Sequence, residues 1–284
     1  MSKIFVSGAS GGIGNHLVKH LKSKGHEIIL PKNPSIRLDD SNYFDVALDP
    51  SEIHFFYHLA GKCTVQQSWE TPVDYFQTNV VGTAKVLEFC RKNQIKLVYM
   101  SSYMYGVPEK LPISEQAKVS VLNPYALSKY QGEELCEFYG RHYGLSYSIV
   151  RLFNLYGVEG NQLTLIEEIV RQISAGRAIH IKDLSPRRDY LYISDLLNFL
   201  ELVATDCSNE IYNLGSGISY SVGEVVSICQ QVWGTNLEVI CEKANRKNEI
   251  PETVCDYSKA QKQLGWSPKI SFQEGIKLMK ENLK

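Results

Sequence analysis

No stretch of this chain approaches the roughly 20 apolar residues that a membrane span requires. No block of like charge forms a tail or stripe. Lys+Arg 30 against Asp+Glu 31 leaves a formal charge of -1. A global field that gathers nucleic acid is excluded, so an anionic ligand must be held by a local cluster. No Cys-x-x-Cys pair occurs. Cys63, Cys90, Cys136, Cys207, Cys229, Cys241 and Cys255 are scattered and odd in number. That argues against a disulfide framework and against a metal site, and fits free thiols in a reducing cytoplasm. Met1 to Ser7 enters a strand pattern directly, without the small-residue cleavage site of a secretory signal. No internal repeat or low-complexity segment is present. A cytoplasmic protein without membrane or nucleic-acid partners is expected.

What remains is an ordinary globular composition. The 284 residues are 44% hydrophobic and 21% charged, enough for one large domain or a domain with a smaller lobe. Lys3 to Ser7 reads as a short buried strand. Gly8-Ala9-Ser10-Gly11-Gly12-Ile13-Gly14 follows, then a helix with Leu17, Val18 and Leu21 inward. Glycines between a strand and a helix allow a tight turn and leave room for a pyrophosphate at the helix N-terminus. The same residues could serve as a plain strand-to-helix turn. The spacing is G-x-x-G-x-x-G, one residue away from the dinucleotide fingerprint.

Glu27 to Leu30 reads as the second strand. Its end has no acid to grip a ribose hydroxyl; Lys32, Asn33 and Arg37 follow instead. Cations there suit a 2′-phosphate, which points to NADP, with NAD as the alternative. Ile53 to Ala60 is a buried strand ending in His58-Leu59-Ala60-Gly61, where Gly61 lets the backbone approach a cofactor. His58 reads as a hydrogen-bonded core residue. Asn79 lies on a long helical pattern from Trp69 to Asn93. An amide there must find partners and is suited to brace active-site backbone.

Ile95 to Met100 is the next strand, and Ser101-Ser102-Tyr103 lies at its carboxyl end, where open parallel sheets bind ligands. Tyr125 and Lys129 are four apart and share one face of the helix that follows Asn123-Pro124. An ammonium beside a phenol favours the phenolate and lowers the tyrosine pKa. A phenol, an ammonium and a seryl hydroxyl at one end of a sheet make an acid–base site.

These stretches resemble the extended short-chain dehydrogenase/reductase family of nucleotide-sugar epimerases, dehydratases and ketoreductases. The matching segments are Gly8 to Gly14, His58-Leu59-Ala60, Asn79 to Thr83, Ser101 to Gly106, Tyr125 to Lys129, Arg151 to Gly157, Arg188-Asp189-Tyr190, Tyr212 to Gly217 and Leu264 to Pro268. They run through nearly the whole chain. The resemblance implies an α/β fold with a Rossmann-type doubly wound parallel sheet and a smaller C-terminal substrate lobe. Residues 1–155 would bind the dinucleotide, with later segments returning to that domain; residues 156–284 would mainly hold substrate. It implies Tyr125 as the proton donor or acceptor, Lys129 on the nicotinamide ribose and Ser101 orienting the substrate oxygen, with Ser102 the runner-up. Asn154, Arg188 and Arg246 would contact the sugar nucleotide, although Asn248-Glu249 departs from the family's Gly-Asp after Arg246. The family often forms homodimers through two helices, here Trp69–Asn93 and Asn123–Tyr143.

The dehydratases of the family carry an Asp-Glu pair after the Ser/Thr. Ser102-Tyr103 stands there, so no carboxylate is available for elimination. The expectation is therefore redox at a sugar carbon: reduction of a 4-keto sugar with NADPH first, a 4-epimerase retaining NAD as the alternative. A dinucleotide-binding sensor without turnover is a further alternative, against which the intact Ser101, Tyr125 and Lys129 stand.

Overall fold

The computed structural model describes residues 1–31, 37–38, 40–46, 48–158, 164–205, 208–242 and 250–283. The expected cofactor residues Lys32 and Asn33, the expected substrate residue Arg246, and Cys207 lie outside them. The chain divides into two compact units. One comprises Met1–Tyr105, Val119–Leu152 and Leu197–Tyr212; the other comprises Gly106–Lys118, Phe153–Leu196 and Asn213–Lys284.

The first unit is built on strands β1 (Lys3–Ser7), β2 (Glu27–Ile29), β3 (Phe55–His58), β4 (Lys96–Ser102) and β5 (Tyr147–Leu152). The six-stranded sheet has the order β2-β1-β3-β4-β5-β9, with β9 (Glu210–Leu214) at the edge. β1 pairs in parallel with both β2 and β3, and the parallel ladder continues through β4 to β5. Short apolar runs form these strands because both faces are covered, as parallel sheets require. The chain moves outward from β1 to β2 and then crosses back to β3. This reversal opens a crevice at the carboxyl ends of β1 and β3.

Helix α1 (Gly12–Ser23) buries Gly14, Leu17 and Leu21. Helix α4 (Gly82–Asn93) buries Thr83, Val86, Leu87 and Cys90, the stripe that a 3.6-residue period dictates. Phe5 and Phe56 stack at 4.6 Å in the core they cover. The single helix expected from Trp69 to Asn93 is broken into α2 (Val65–Glu70), α3 (Pro72–Phe76), a π-helical turn over Gln77–Val81, and α4. Pro72 lacks an N–H and ends the first piece. The π turn carries Asn79; such turns recur at functional sites. Helix α5 (Pro124–Tyr143) starts on an Asn123 side chain that accepts from the Ala126 N–H at 2.8 Å. It ends on Gly144 in the left-handed region, as a helix C-terminus favours. A Cβ on Gly132 would meet the Tyr99 hydroxyl at 2.1 Å, so glycine lets α5 press against β4. Helix α7 (Ile193–Thr205) supplies Leu200, whose carbonyl accepts from the buried Tyr57 hydroxyl at 2.8 Å.

The second unit contains the sheet β10-β8-β6, formed by β6 (Asn154–Tyr156), β8 (Arg187–Tyr192) and β10 (Ser219–Ser221). A second small sheet pairs β7 (Ile179–Ile181) with β11 (Val239–Cys241). Helices α6 (Leu165–Ser174), α8 (Val222–Trp233), α9 (Ser258–Leu264) and α10 (Phe272–Asn282) complete it. Ser221 caps α8 by accepting from the Glu224 N–H at 3.1 Å, and the Glu224 carboxylate accepts from the Ser221 N–H at 2.7 Å. No helix among the described residues is long and apolar enough to cross a membrane. Cys63, Cys90, Cys136, Cys229, Cys241 and Cys255 are free thiols.

Candidate active site

Gly8 stands at the switch point with φ +72, where L side chains are strained. A Cβ on it would lie 2.7 Å from the Ala60 N, and one on Gly14 would lie 2.1 Å from the Gly8 carbonyl. Backbone therefore meets backbone on both sides of the turn. The Gly11 N–H donates to the Gly8 carbonyl at 3.0 Å, and α1 starts directly behind Ser10 and Gly11, with Gly12 and Ile13 as its first residues. This is a cradle that fits a diphosphate facing the helix N-terminus. Tyr43 is buried and hydrogen-bonds at Gly8 and Ser7; burial pushes its phenol up to about 12.

Leu59, Ala60 and Gly61 leave β3 beside this turn. A Cβ on Gly61 would meet the Asn79 Oδ1 at 3.0 Å and the Lys129 Nζ at 3.9 Å. Asn79 braces that backbone: its Oδ1 accepts from the Lys62 N–H at 2.8 Å and its Nδ2 donates to the Lys62 carbonyl at 2.9 Å. Nδ2 also donates to the Ser128 hydroxyl at 2.9 Å, which donates to the Tyr125 carbonyl at 2.8 Å. The expected bracing role of Asn79 has these partners. The glycine turn, the end of β3 and the Tyr125 helix thus converge.

The serine pair requires a distinction. β4 continues through both residues, because Ser101 pairs with Arg151 and Ser102 with Leu152 on β5. The Ser102 hydroxyl is the side-chain hydrogen-bond partner of the Tyr125 phenol. The Ser101 hydroxyl, on a residue 4% exposed, has no partner among the described residues. A buried hydroxyl without a partner keeps bonding capacity that a ligand atom could use. Tyr103 is half-buried, and the Tyr75 ring stands edge-on to the Tyr125 ring at 6.5 Å.

The expected lowering of the Tyr125 pKa by Lys129 is not found. Burial pushes the phenol up to about 12, with the Ser102 hydrogen bond opposing it, and Lys129 is not among the causes. The ammonium bears the larger consequence. Burial holds the Lys129 pKa down to about 8, opposed first by Glu133. Its Nζ lies 4.5 Å from the Tyr99 ring centroid. Desolvation outweighs the charge–dipole benefit where both groups leave water. The phenol is thus kept in its protonated, donating form.

Sequence reasoning missed Glu133 and Arg151. Both are buried, with the Arg151 Nη2 donating to Glu133 Oε2 at 2.7 Å and the Nη1 to the Tyr105 hydroxyl at 2.9 Å. Glu133 lies four residues beyond Lys129, a spacing that could have flagged it. The pair ties α5 to β5 and to the segment after the serines.

The remaining expected residues are held apart from this cluster in chain position. Arg37 is exposed and its carbonyl accepts from the Asp40 N–H at 3.0 Å. Asn154 and Arg188 belong to the second unit. Asn154 Nδ2 donates to the Asp189 carbonyl at 3.0 Å, and Arg188 Nη1 donates to the Arg187 and Ile250 carbonyls at 2.8 and 2.7 Å. Arg187 pairs with Glu224 and Glu252. The turn at Gly215-Ser216-Gly217 is structural: Asp189 accepts from the Ser216 N–H at 2.6 Å and the Gly217 N–H at 2.8 Å. No group of three or more His, Cys, Asp or Glu among the described residues is arranged to hold a metal ion.

A switch-point cradle followed by a Ser–Tyr–Lys cluster defines an NAD(P)-dependent enzyme with a Rossmann-type fold. The chain matches the family model "NAD dependent epimerase/dehydratase family" over residues 4–215, and it belongs to that family. A putative UDP-glucose 4-epimerase of Methanocaldococcus jannaschii is 34% identical, over 96% of both chains. The UDP-glucose 4-epimerase of Thermus thermophilus, solved with NAD, superposes with a TM-score of 0.86 at 26% identity, covering 98% of both chains. RMD from Pseudomonas aeruginosa, solved with NADPH, has a TM-score of 0.90 at 23% identity over 99% of this chain and 98% of its own, a likeness of fold.

Proposed function

We propose that this protein is a nucleoside-diphosphate-sugar 4-epimerase that keeps its dinucleotide bound. The observation that carries the reading is the Tyr125 phenol bonded to Ser102, with Lys129 one helical turn on and no carboxylate at Ser102 or Tyr103. Bound NAD(P) would supply the hydride chemistry at the sugar C4. Tyr125 is assigned the proton of the C4 oxygen: as phenolate, the form the Ser102 hydrogen bond favours against burial, it takes that proton, and as phenol it returns it. Ser102 and the unpartnered Ser101 hydroxyl orient that oxygen. Lys129, whose Nζ would lie 3.9 Å from a Cβ on Gly61, is assigned to the dinucleotide ribose. The glycine turn from Gly8 to Gly14 is assigned to the diphosphate of the dinucleotide. The identity to epimerases over the full length supports this reading ahead of 4-keto reduction.

The acid-free end of β2, with Lys32 and Arg37, favours the second reading: an NADPH-dependent 4-keto-sugar reductase. Asn154, Arg188 and Arg246 are assigned to the sugar nucleotide on the family resemblance. A homodimer through the segments Trp69–Asn93 and Asn123–Tyr143 belongs to the same proposal; exposed Phe138 and Tyr143 on α5 support it.

The test is stoichiometry. Protein incubated with UDP-glucose and no added dinucleotide is expected to epimerise C4, and mass spectrometry of gently purified protein should find retained NAD. A requirement for one NADPH per product formed from a 4-keto sugar would replace epimerisation by reduction.

A further inference from the structure

A continuous buried polar chain runs behind the site. The Ser7 Oγ lies 3.0 Å from the His58 Nδ1, and the His58 Nε2 lies 2.9 Å from the Thr83 Oγ1. Thr83 Oγ1 donates to the Asn79 carbonyl at 2.6 Å. Asn79 then reaches Ser128 and, through it, the Tyr125 carbonyl. At the other end Ser7 accepts from the Ala60 N–H at 3.2 Å, next to the cradle at Gly8. Ser7, His58, Thr83 and Asn79 are all 1% exposed or less.

The bonds assign the imidazole. Thr83 has one hydroxyl proton, and the short bond to the Asn79 carbonyl uses it. Its oxygen can therefore only accept from His58, so Nε2 carries the proton. Nδ1 is then an acceptor, and the Ser7 hydroxyl faces it at 3.0 Å, nearer than its other acceptor, the Tyr57 carbonyl at 3.3 Å. Ser7 keeps a lone pair for the Ala60 N–H. Burial first, and the Lys129 charge second, hold the His58 pKa down to about 3, so the ring is neutral. The short Thr83 bond fixes the direction of this part of the chain, and buried networks so bonded rigidify their surroundings.

We propose that Ser7, His58 and Thr83 form a positioning relay in which a neutral, Nε2-protonated imidazole holds the dinucleotide cradle in register with the Tyr125 helix. No proton moves along it. The relay acts by joining two elements, β1 and the Asn79 turn, which touch the cofactor side and the acid side of the site. His58 bonds both Ser7 and Thr83, so the ring is the most direct bonded path between them.

Two measurements test this on the full chain. Nitrogen-15 NMR of histidine-labelled protein should show the His58 ring neutral with Nε2 protonated near pH 6. An Nδ1-protonated or charged ring overturns the relay, and this readout needs no variant. The second measurement is a double-mutant cycle of Ser7→Ala and Thr83→Val in dinucleotide affinity, measured by calorimetry with NAD and with NADPH. Each single variant should weaken binding about fivefold, and the double variant no more than the worse single one. Thr83→Ser should restore the affinity, since it keeps the hydroxyl. Losses that multiply in the double variant, or wild-type affinity in both singles, overturn the proposal. Neither measurement depends on the sugar substrate, so both remain readable whichever reaction the site performs.

Discussion

The two units bury charge to different ends. In the first, Lys129 and the Glu133–Arg151 pair sit under the site, and burial leaves Lys129 with a pKa of about 8 and Ser101 with an unused hydroxyl. In the second, Asp189 is wholly occupied. It accepts from the backbone N–H groups of Ser216, Gly217 and Cys255 and from the Ser216 hydroxyl. Burial raises its pKa, with these bonds opposing. Asp195 likewise accepts from the Lys269 and Ile270 N–H groups, both at 3.0 Å. Buried charge with spare bonding capacity marks chemistry, whereas buried charge saturated by backbone donors holds loops together.

Tyr125→Phe tests the first half of that contrast and carries the largest effect. Turnover should fall by about a thousandfold while dinucleotide affinity by calorimetry stays within about twofold. Undiminished turnover would remove the phenol from the acid role. For the second half, Asp189→Asn sets an amide NH2 against backbone N–H donors. Denaturant unfolding should record a loss of about 3 kcal/mol, and a loss under about 1 kcal/mol would show that the carboxylate is dispensable. The serines come next. Ser102→Ala is expected to cost about a hundredfold in kcat and Ser101→Ala about tenfold; the opposite ranking returns the principal role to Ser101.

The smallest effects are in pH. The Lys129 ammonium is lost as pH rises through its folded value, so kcat/KM should decline through an alkaline limb near 8. A flat profile to about pH 10, the range of a free lysine, would remove Lys129 from the reaction. On the acid side, burial holds the His58 pKa at about 3 against the ordinary histidine value of 6.5. The unfolded chain therefore binds the proton more readily between those values. The stability contributed is complete above the unfolded value and is lost as pH falls toward the folded one. His58→Gln should flatten that acid slope in urea titrations; an unchanged slope assigns it to other groups.

How much was legible follows from the range of each interaction. The glycine turn, the α5 cap at Asn123 and the four-residue step from Tyr125 to Lys129 are local, and local spacing exposes them. The break at Thr71-Pro72 was marked by its proline, yet the π turn at Asn79 has no such mark. Arg151 meets Glu133 across 18 residues and Asp189 meets Cys255 across 66. No periodicity announces such pairings, because each partner is chosen by the packing of separate elements.

The amino-acid order alone determined the class of enzyme: the cradle, the phenol with its ammonium, and the missing carboxylates are all written as short motifs. Tertiary structure decided which serine meets Tyr125, whether that phenol keeps its proton, and what His58 is bonded to. Those outcomes depend on desolvation and on side chains from distant segments meeting in a low-dielectric interior. There a few ångströms decide which partner a hydroxyl takes and which protonation state survives.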